Sequence, residues 1–193
     1  VVCGSMFSGP IPPARPAVAD ARGLAHPAAT IGRGALGHVL AAALVLTLLN
    51  AIKPVTMDDP SYLLHARQVA AHPLDPYGAE MFTYQTWGPA LHNNAPPVAV
   101  YWLALGQRVL GDHEFAWKLW LLPWALALGL SLRSLLARWA PGVEAPVVWL
   151  TLLSPAILPG FDFMLDVPAL AMVLAAVALF ARALERDSTA GAA

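Results

Sequence analysis

The sequence predicts an all-α protein, a polytopic transmembrane bundle of about four spans with short interfacial helices in its first outer loop. Of the 193 residues, 58% are hydrophobic and 12% are charged, whereas a soluble globular domain carries roughly 25% charged residues. The mean hydropathy of +0.60 indicates that apolar side chains face lipid as well as a protein core. A net charge of −1 argues against nucleic-acid binding. Cys3, the single cysteine, excludes an internal disulfide and a thiolate zinc cluster.

Four apolar segments are long enough to cross a hydrocarbon core of roughly 30 Å, since a helix rises about 1.5 Å per residue. The spans are predicted at about residues 35–52, 115–139, 143–161 and 167–184. The first segment could instead belong to a signal peptide, but such apolar regions run about 7–15 residues behind a short basic segment. Here the Pro- and Ala-rich residues 1–34 come first, and their composition predicts a disordered cytoplasmic tail.

The basic residues predict the orientation of the spans, because Lys and Arg near span ends are retained on the cytoplasmic side. The predicted inner ends carry seven of the 11 basic residues: Arg15, Arg22, Arg33, Arg133, Arg138, Arg182 and Arg186. The N-terminus is therefore predicted to be cytoplasmic, and residues 35–193 form a transmembrane domain with outer loops at 53–114 and 160–166. Because small residues end the chain where a fifth span would start, we expect a truncated, N-terminal part of a longer membrane protein.

The long outer loop contains two segments with helical periodicity. Residues 60–72 and 97–110 each place apolar side chains on one face, which is typical of a short helix lying on the membrane surface. The second segment, at about 14 residues, is too short to span the bilayer untilted. The residues between them are turn-rich and polar, and we expect them to cover a site at the outer interface.

Carboxylates at the predicted lipid boundary allow two interpretations. Asp59 followed by Pro60 is a good helix start, but this leaves Asp58 beside a second carboxylate, and such a pair raises one pKa or recruits a cation. Asp166 could similarly begin the last span. Asp162 and Asp166 are also acids set between apolar residues at the bilayer edge, where ionisable groups are costly and often functional. Both interpretations remain open from the residues alone.

The histidines and the outer basic residues give weaker signals. No His-x-x-x-His spacing is present, so a histidine metal site has little support. Four outer cations could meet a phosphate, namely Lys53, Arg67, Arg108 and Lys118. For Arg108 and Lys118, extension of the side chain to lipid headgroups is the favoured interpretation.

Five short motifs follow one another on the predicted outer face. They are Met57-Asp58-Asp59-Pro60-Ser61-Tyr62, Asp75-Pro76-Tyr77-Gly78, Asn94-Ala95-Pro96-Pro97, Gly111-Asp112-His113-Glu114 and Leu165-Asp166-Val167-Pro168. In order and spacing over residues 36–186, they resemble the membrane glycosyltransferases of the C-type fold. The resemblance is to the dolichyl-phosphate-mannose protein mannosyltransferase-like group, glycosyltransferase family 39.

The resemblance implies roles for particular residues. The catalytic aspartate falls on Asp58, with Asp59 at the second acidic position and Asp166 lining the same site. Tyr62, Arg67 and Asn94, in the same outer segment, are the predicted substrate-binding residues. Ala95 interrupts the Asn-Pro-Pro motif of the family, which is a departure from its pattern.

The implied reaction is inverting transfer of a hexose, of the mannosyl type, from a polyprenyl-phosphate-linked donor. Asp58 would take the proton from an acceptor hydroxyl or amine as it attacks the anomeric carbon. A divalent cation or basic side chains would offset the charge of the departing phosphate. The expected partners are the lipid-linked donor, an acceptor protein, lipid or glycan, and membrane lipids.

The short outer loops suggest the inner (plasma) membrane of a bacterium. A non-enzymatic transporter component or scaffold is the alternative from another class, although apolar span centres count against a transporter. An inactive fragment of the transferase is a further alternative, because four spans do not enclose a donor site.

Overall fold

The computed structural model describes residues 33–55, 59–83, 86–93 and 97–190, which are mainly helical. The helices are α1 (Arg33–Ala51), α2 (Asp59–Ala71), α3 (Pro97–Leu110), α4 (Glu114–Leu119), α5 (Leu122–Trp139), α6 (Glu144–Leu152) and α7 (Asp166–Ala190). Between α2 and α3, strands β1 (Glu80–Thr83) and β2 (Thr86–Pro89) are followed by a short 3-10 helix, Ala90–Asn93. The predicted disordered tail lies outside the described residues, apart from its last two positions.

Within these described ranges, three helical segments are long and apolar enough to cross a membrane. They are Gly34–Ala51, Glu114–Trp139 and Asp166–Arg186. Their ends agree with three of the four predicted spans to within two residues. Length and hydropathy located these segments, although Glu114–Trp139 contains a turn at Trp120 and Leu121 that separates α4 from α5.

The remaining predicted span, residues 143–161, is wrong as a continuous helix. Helix α6 ends at Leu152, and its nine residues extend only about 14 Å. Turns follow from Ser154 to Gly160. Pro155 disfavours the helical conformation of the residue before it, and the Ser154 hydroxyl accepts a hydrogen bond from the Ile157 N–H at 3.3 Å. Ser154 and Pro155 therefore end the helix, although the hydropathy of the segment predicts that the helix continues.

The core forms where α1 packs against α5 and α6, while α5 packs against α7. Small residues on α1, Ala42 and Ala43, are completely buried. On α5, Gly129 permits a close approach, because a Cβ there would lie 2.9 Å from Cγ1 of Val39. Helix α2 packs on α3 beside this bundle, and the predicted helices over residues 60–72 and 97–110 are confirmed as α2 and α3.

A short β-hairpin adds to the mainly helical fold that the sequence predicts. Strands β1 and β2 are antiparallel, with Phe82 opposite Trp87 and their ring centroids 5.7 Å apart. Met81 is buried and Phe82 is exposed, which is the alternation expected of a strand covered on one face. The alternating residues are too few to stand out from the turn-rich segment around them.

A pair of tryptophans joins α3 to the residues between α4 and α5. The rings of Trp102 and Trp120 stack with centroids 4.8 Å apart. Each indole N–H donates to the backbone carbonyl of the other residue at 3.0 Å. Gly106 lies against this pair, since a Cβ there would be 2.7 Å from Cδ1 of Trp120. The tryptophans therefore fix α3 to the bundle through both stacking and hydrogen bonds.

We expect Gly106→Ala to reduce the free energy of unfolding by about 1–3 kcal/mol, because the added methyl overpacks against a ring that stacking and hydrogen bonds hold in place. Gly37→Ala is the matched control, since a Cβ at Gly37 meets nothing within 4 Å and alanine favours the helix. Thermal unfolding in detergent micelles compares the two variants. An unfolding temperature for Gly106→Ala equal to that of Gly37→Ala would contradict the close contact.

Candidate functional site

Two buried carboxylates from distant parts of the chain meet at one backbone N–H. Asp59 begins α2 and Asp162 lies in the turn before α7, and their exposed fractions are 1% and 5%. The N–H of Phe163 donates to Oδ1 of Asp59 at 3.1 Å and to Oδ1 of Asp162 at 3.2 Å. The segment after α1 is thereby joined to the segment before α7.

Lys118, on α4, places a positive charge beside these carboxylates. Its side chain is completely buried, and Nζ lies 3.6 Å from Oδ1 of Asp162 and 3.5 Å from Oε1 of Glu114. The ammonium also donates to the backbone carbonyl of Lys53, just beyond the end of α1. Nζ is 5.8 Å from the centroid of the Phe163 ring. Because a buried charge is tolerated only when it is paired and hydrogen-bonded, Lys118 holds α1, α4 and the Phe161–Phe163 turn together.

Lys53 provides a second ammonium and stabilises the break after α6. Its Nζ donates to the carbonyls of Leu158 and Pro159 at 3.1 Å each and of Phe161 at 3.4 Å. It also lies 3.9 Å from Oδ2 of Asp162. Backbone carbonyls outside regular helices require such partners when they are shielded from water. Lys53, Asp59, Lys118 and Asp162 together are termed the lysine–aspartate cluster below.

Burial changes the proton affinity of the cluster. The pKa of Asp162 is raised from 3.8 to about 6, mainly because burial disfavours its charged form and secondly because Asp59 is a like charge. Lys118 and Lys53 oppose this rise. Burial also lowers the pKa of Lys53, while Asp162 acts in the opposite direction. Asp162 can therefore gain or lose a proton near neutral pH.

The structure describes two of the three predicted catalytic residues. Asp58 lies outside the described residues. Asp59 is buried in the cluster, where its carboxylate contacts the backbone 104 residues further along the chain. Asp166 is exposed as the first residue of α7, a position that agrees with the helix-start interpretation. The acid of the second loop that joins Asp59 is therefore Asp162.

The predicted substrate-binding residues lie in different surroundings. Tyr62 is half-buried on α2 and packs against the core. Arg67 is exposed on the same helix, with Nη2 3.3 Å from Oδ1 of Asp112. Asn94 lies outside the described residues.

Lys118 and Asp162 carry the cluster; both were named as candidates from the sequence, but neither was placed among the predicted catalytic or substrate-binding residues. Lys118 was expected to reach lipid headgroups and is instead completely buried. Local composition could have identified both residues from sequence. Lys118 follows Glu114 by four residues, and Asp162 lies between Phe161 and Phe163. A lone charge within an apolar, aromatic run of a membrane protein requires a buried partner.

The predicted divalent cation has no evident ligand set in the described part of the chain. No group of three or more His, Cys, Asp or Glu side chains within those residues is arranged to hold a metal ion. In the cluster, the ammonium groups of Lys53 and Lys118 already supply positive charge to Asp162.

Comparison with known proteins assigns no family to the chain: no protein-family model, curated protein or solved structure matches it. The chemistry of the site is therefore inferred from its geometry. A carboxyl group with a pKa of about 6 suits general acid–base chemistry. The ammonium groups of Lys53 and Lys118 both lie within 4 Å of a carboxylate oxygen of Asp162, and Lys118 is also paired with Glu114.

Lys118→Met removes the ammonium and retains an apolar side chain of similar length. We expect it to reduce the free energy of unfolding in detergent by about 3 kcal/mol, because it breaks a buried ion pair from one side. Lys118→Met/Asp162→Asn should recover most of this loss, since it removes the carboxylate as well. A double variant no more stable than the single variant would contradict the pairing.

The pH dependence of the free energy of unfolding should reflect the protonation of Asp162. Because its pKa is higher in the folded state, about 6 against 3.8, the folded protein binds more protons between these values. The contribution of Asp162 to stability is thus greatest below pH 4 and is lost as the pH rises through 6. Thermal unfolding of the wild type relative to Asp162→Asn should show this decrease between pH 4 and 7. A constant difference over this range would contradict the raised pKa.

Proposed function

We propose that this protein is a membrane glycosyltransferase that transfers a sugar from a polyprenyl-phosphate-linked donor on the extracytoplasmic face. The observation that carries the proposal is the convergence of the segment after α1 with the turn before α7. Asp59 and Asp162 share the Phe163 N–H there, and Asp58 directly precedes Asp59 in the chain. An acidic site built from two loops at one end of the apolar helices suits a donor whose lipid lies in the bilayer and whose sugar lies in water.

In the proposed reaction, an oxygen or nitrogen of the acceptor attacks the anomeric carbon of the sugar and inverts its configuration. The bond from that carbon to the phosphate oxygen breaks, and the polyprenyl phosphate leaves with the bonding electrons. Asp58 takes the proton of the acceptor, a general-base contribution of typically 10²–10⁴-fold. The buried contacts of Asp59 hold the start of α2, which Asp58 directly precedes in the chain, and the partly exposed ammonium group of Lys53 favours charge building up on the phosphate.

A specific set of observations favours a second function, a proton-coupled transporter component. Asp162 has a pKa of about 6 and pairs with the buried Lys118 next to the break after α6. Transporters place their sites at broken helices and use buried ionisable pairs as proton relays. On α1, Asn50 is completely buried, and neither its side-chain N nor its O has a partner within the described residues.

We expect Asp58→Asn to reduce glycosyl transfer at least about 100-fold, because the amide cannot accept the proton. The assay measures transfer from a polyprenyl-phosphate sugar in membranes containing the protein, at equal expression. Glu80→Gln is the matched control, because Glu80 is an exposed carboxylate on β1. Transfer by Asp58→Asn equal to that of the control would remove Asp58 from the mechanism.

The transporter alternative gives a different result in proteoliposomes. If wild type shows no transfer with any lipid-linked donor but moves protons across the bilayer, and Asp162→Asn abolishes this movement, the transferase proposal is wrong. Transfer activity without proton movement would exclude the alternative.

A further inference from the structure

A groove of about 460 Å³ lies between α2, α3 and the loop that leads to α4. Its polar lining consists of Arg67 from α2, Gln107 and Arg108 from α3, and Asp112 from the loop. Trp117 and small residues complete the lining. These four polar residues and Trp117 define what is termed the arginine groove. A volume of this size accommodates a small organic ligand.

The arginine groove carries one net positive charge. Arg67 and Arg108 contribute two positive charges and Asp112 one negative charge. The ion pair of Arg67 and Asp112 is exposed, with 61% and 84% of the side chains accessible, so it is weak and easily exchanged for another anion. A phosphodiester carries a single negative charge, and guanidinium groups match its oxygens in geometry. The charge of the groove therefore complements a phosphodiester.

The side-chain amide of Gln107 has one oxygen that lacks a hydrogen-bond donor within the described residues. Its Nε2 donates to the carbonyl of Leu63 at 3.2 Å, which fixes the amide between α3 and α2. Its Oε1 is buried and accepts no hydrogen bond from the described residues. Such an acceptor is costly to leave unsatisfied. A hydroxyl on the ligand would satisfy it.

The surface next to the groove is apolar. Four residues of α3 lie on one exposed helical face, namely Val98, Tyr101, Leu105 and Val109. Arg108 follows Leu105 by three residues and so lies beside this face. An apolar helix face bordered by arginine is typical of a helix at the interface between headgroups and acyl chains. The candidate membrane spans Gly34–Ala51 and Glu114–Trp139 belong to the same chain as this face.

We propose that the arginine groove binds the headgroup of an anionic, hydroxyl-bearing phospholipid such as phosphatidylglycerol. The phosphodiester lies between Arg67 and Arg108, a headgroup hydroxyl donates to Oε1 of Gln107, and the acyl chains cover the apolar face of α3. The site is separate from the lysine–aspartate cluster in its residues. The inference does not depend on the proposed transferase, since lipid binding is measured without turnover.

Native mass spectrometry of the purified chain in detergent tests the proposal, with added phosphatidylglycerol, phosphatidylcholine, a polyprenyl phosphate or inorganic phosphate. We expect phosphatidylglycerol to bind most tightly, because phosphatidylcholine has neither the net charge nor the hydroxyl. Arg108→Gln should weaken its binding about tenfold, the size of one charge-assisted hydrogen bond. Arg182→Gln is the matched control, because Arg182 is exposed on α7 outside the groove.

Asp112→Asn should change the affinity for phosphatidylglycerol in the opposite direction. It raises the net charge of the groove and releases Arg67 from its ion pair, so binding of phosphatidylglycerol should become tighter, which loss of folding would not produce. Equal affinity of Arg108→Gln and Arg182→Gln, or weaker binding by Asp112→Asn, would overturn the site. Preference for polyprenyl phosphate or inorganic phosphate over phosphatidylglycerol would overturn the assignment to a membrane phospholipid.

Discussion

The burial of one ammonium group at the end of an apolar bundle is the constraint on which the rest of the structure depends. Lys118 is completely enclosed, and it is held by a carbonyl from the end of α1, by Asp162 and by Glu114. The cost of removing a charge from water is several kcal/mol for each ion. Three separate chain segments therefore have to meet at Lys118, and their meeting places Asp162 beside its ammonium group.

The break after α6 follows the same physical rule. An apolar segment that ends as a helix at Leu152 leaves backbone carbonyls without partners, and three carbonyls from residues 158–161 accept hydrogen bonds from Lys53. The negative carbonyl groups and Asp162 thus share one ammonium group. Because Lys53 follows α1 closely, the helix break, the end of α1 and the acidic turn are mutually dependent. The burial of Asp162 in this arrangement raises its pKa to about 6, and Lys118 and Lys53 oppose the rise.

Local sequence patterns predicted the regular elements but not their mutual contacts. Hydropathy located three long helices, and the apolar periodicity of residues 60–72 and 97–110 located α2 and α3. The break after α6 was missed because hydropathy alone predicts a continuous span there, whereas prolines and a serine end the helix. Lys118 and Asp162 are 44 positions apart, so their pairing is a tertiary contact that no local pattern contains. The acidic pair after α1 was identified from sequence, whereas the loop partner of Asp59 required the fold.

Selective ¹⁵N labelling of phenylalanine gives the most direct measurement of the lysine–aspartate cluster, since the chain has six phenylalanines. The amide of Phe163 contacts both Asp59 and Asp162. Its resonance should titrate with a midpoint of about 6, should exchange slowly with solvent, and should lose the titration in Asp162→Asn. A Phe163 amide that exchanges rapidly and does not respond between pH 4 and 8 would contradict the convergence of these segments.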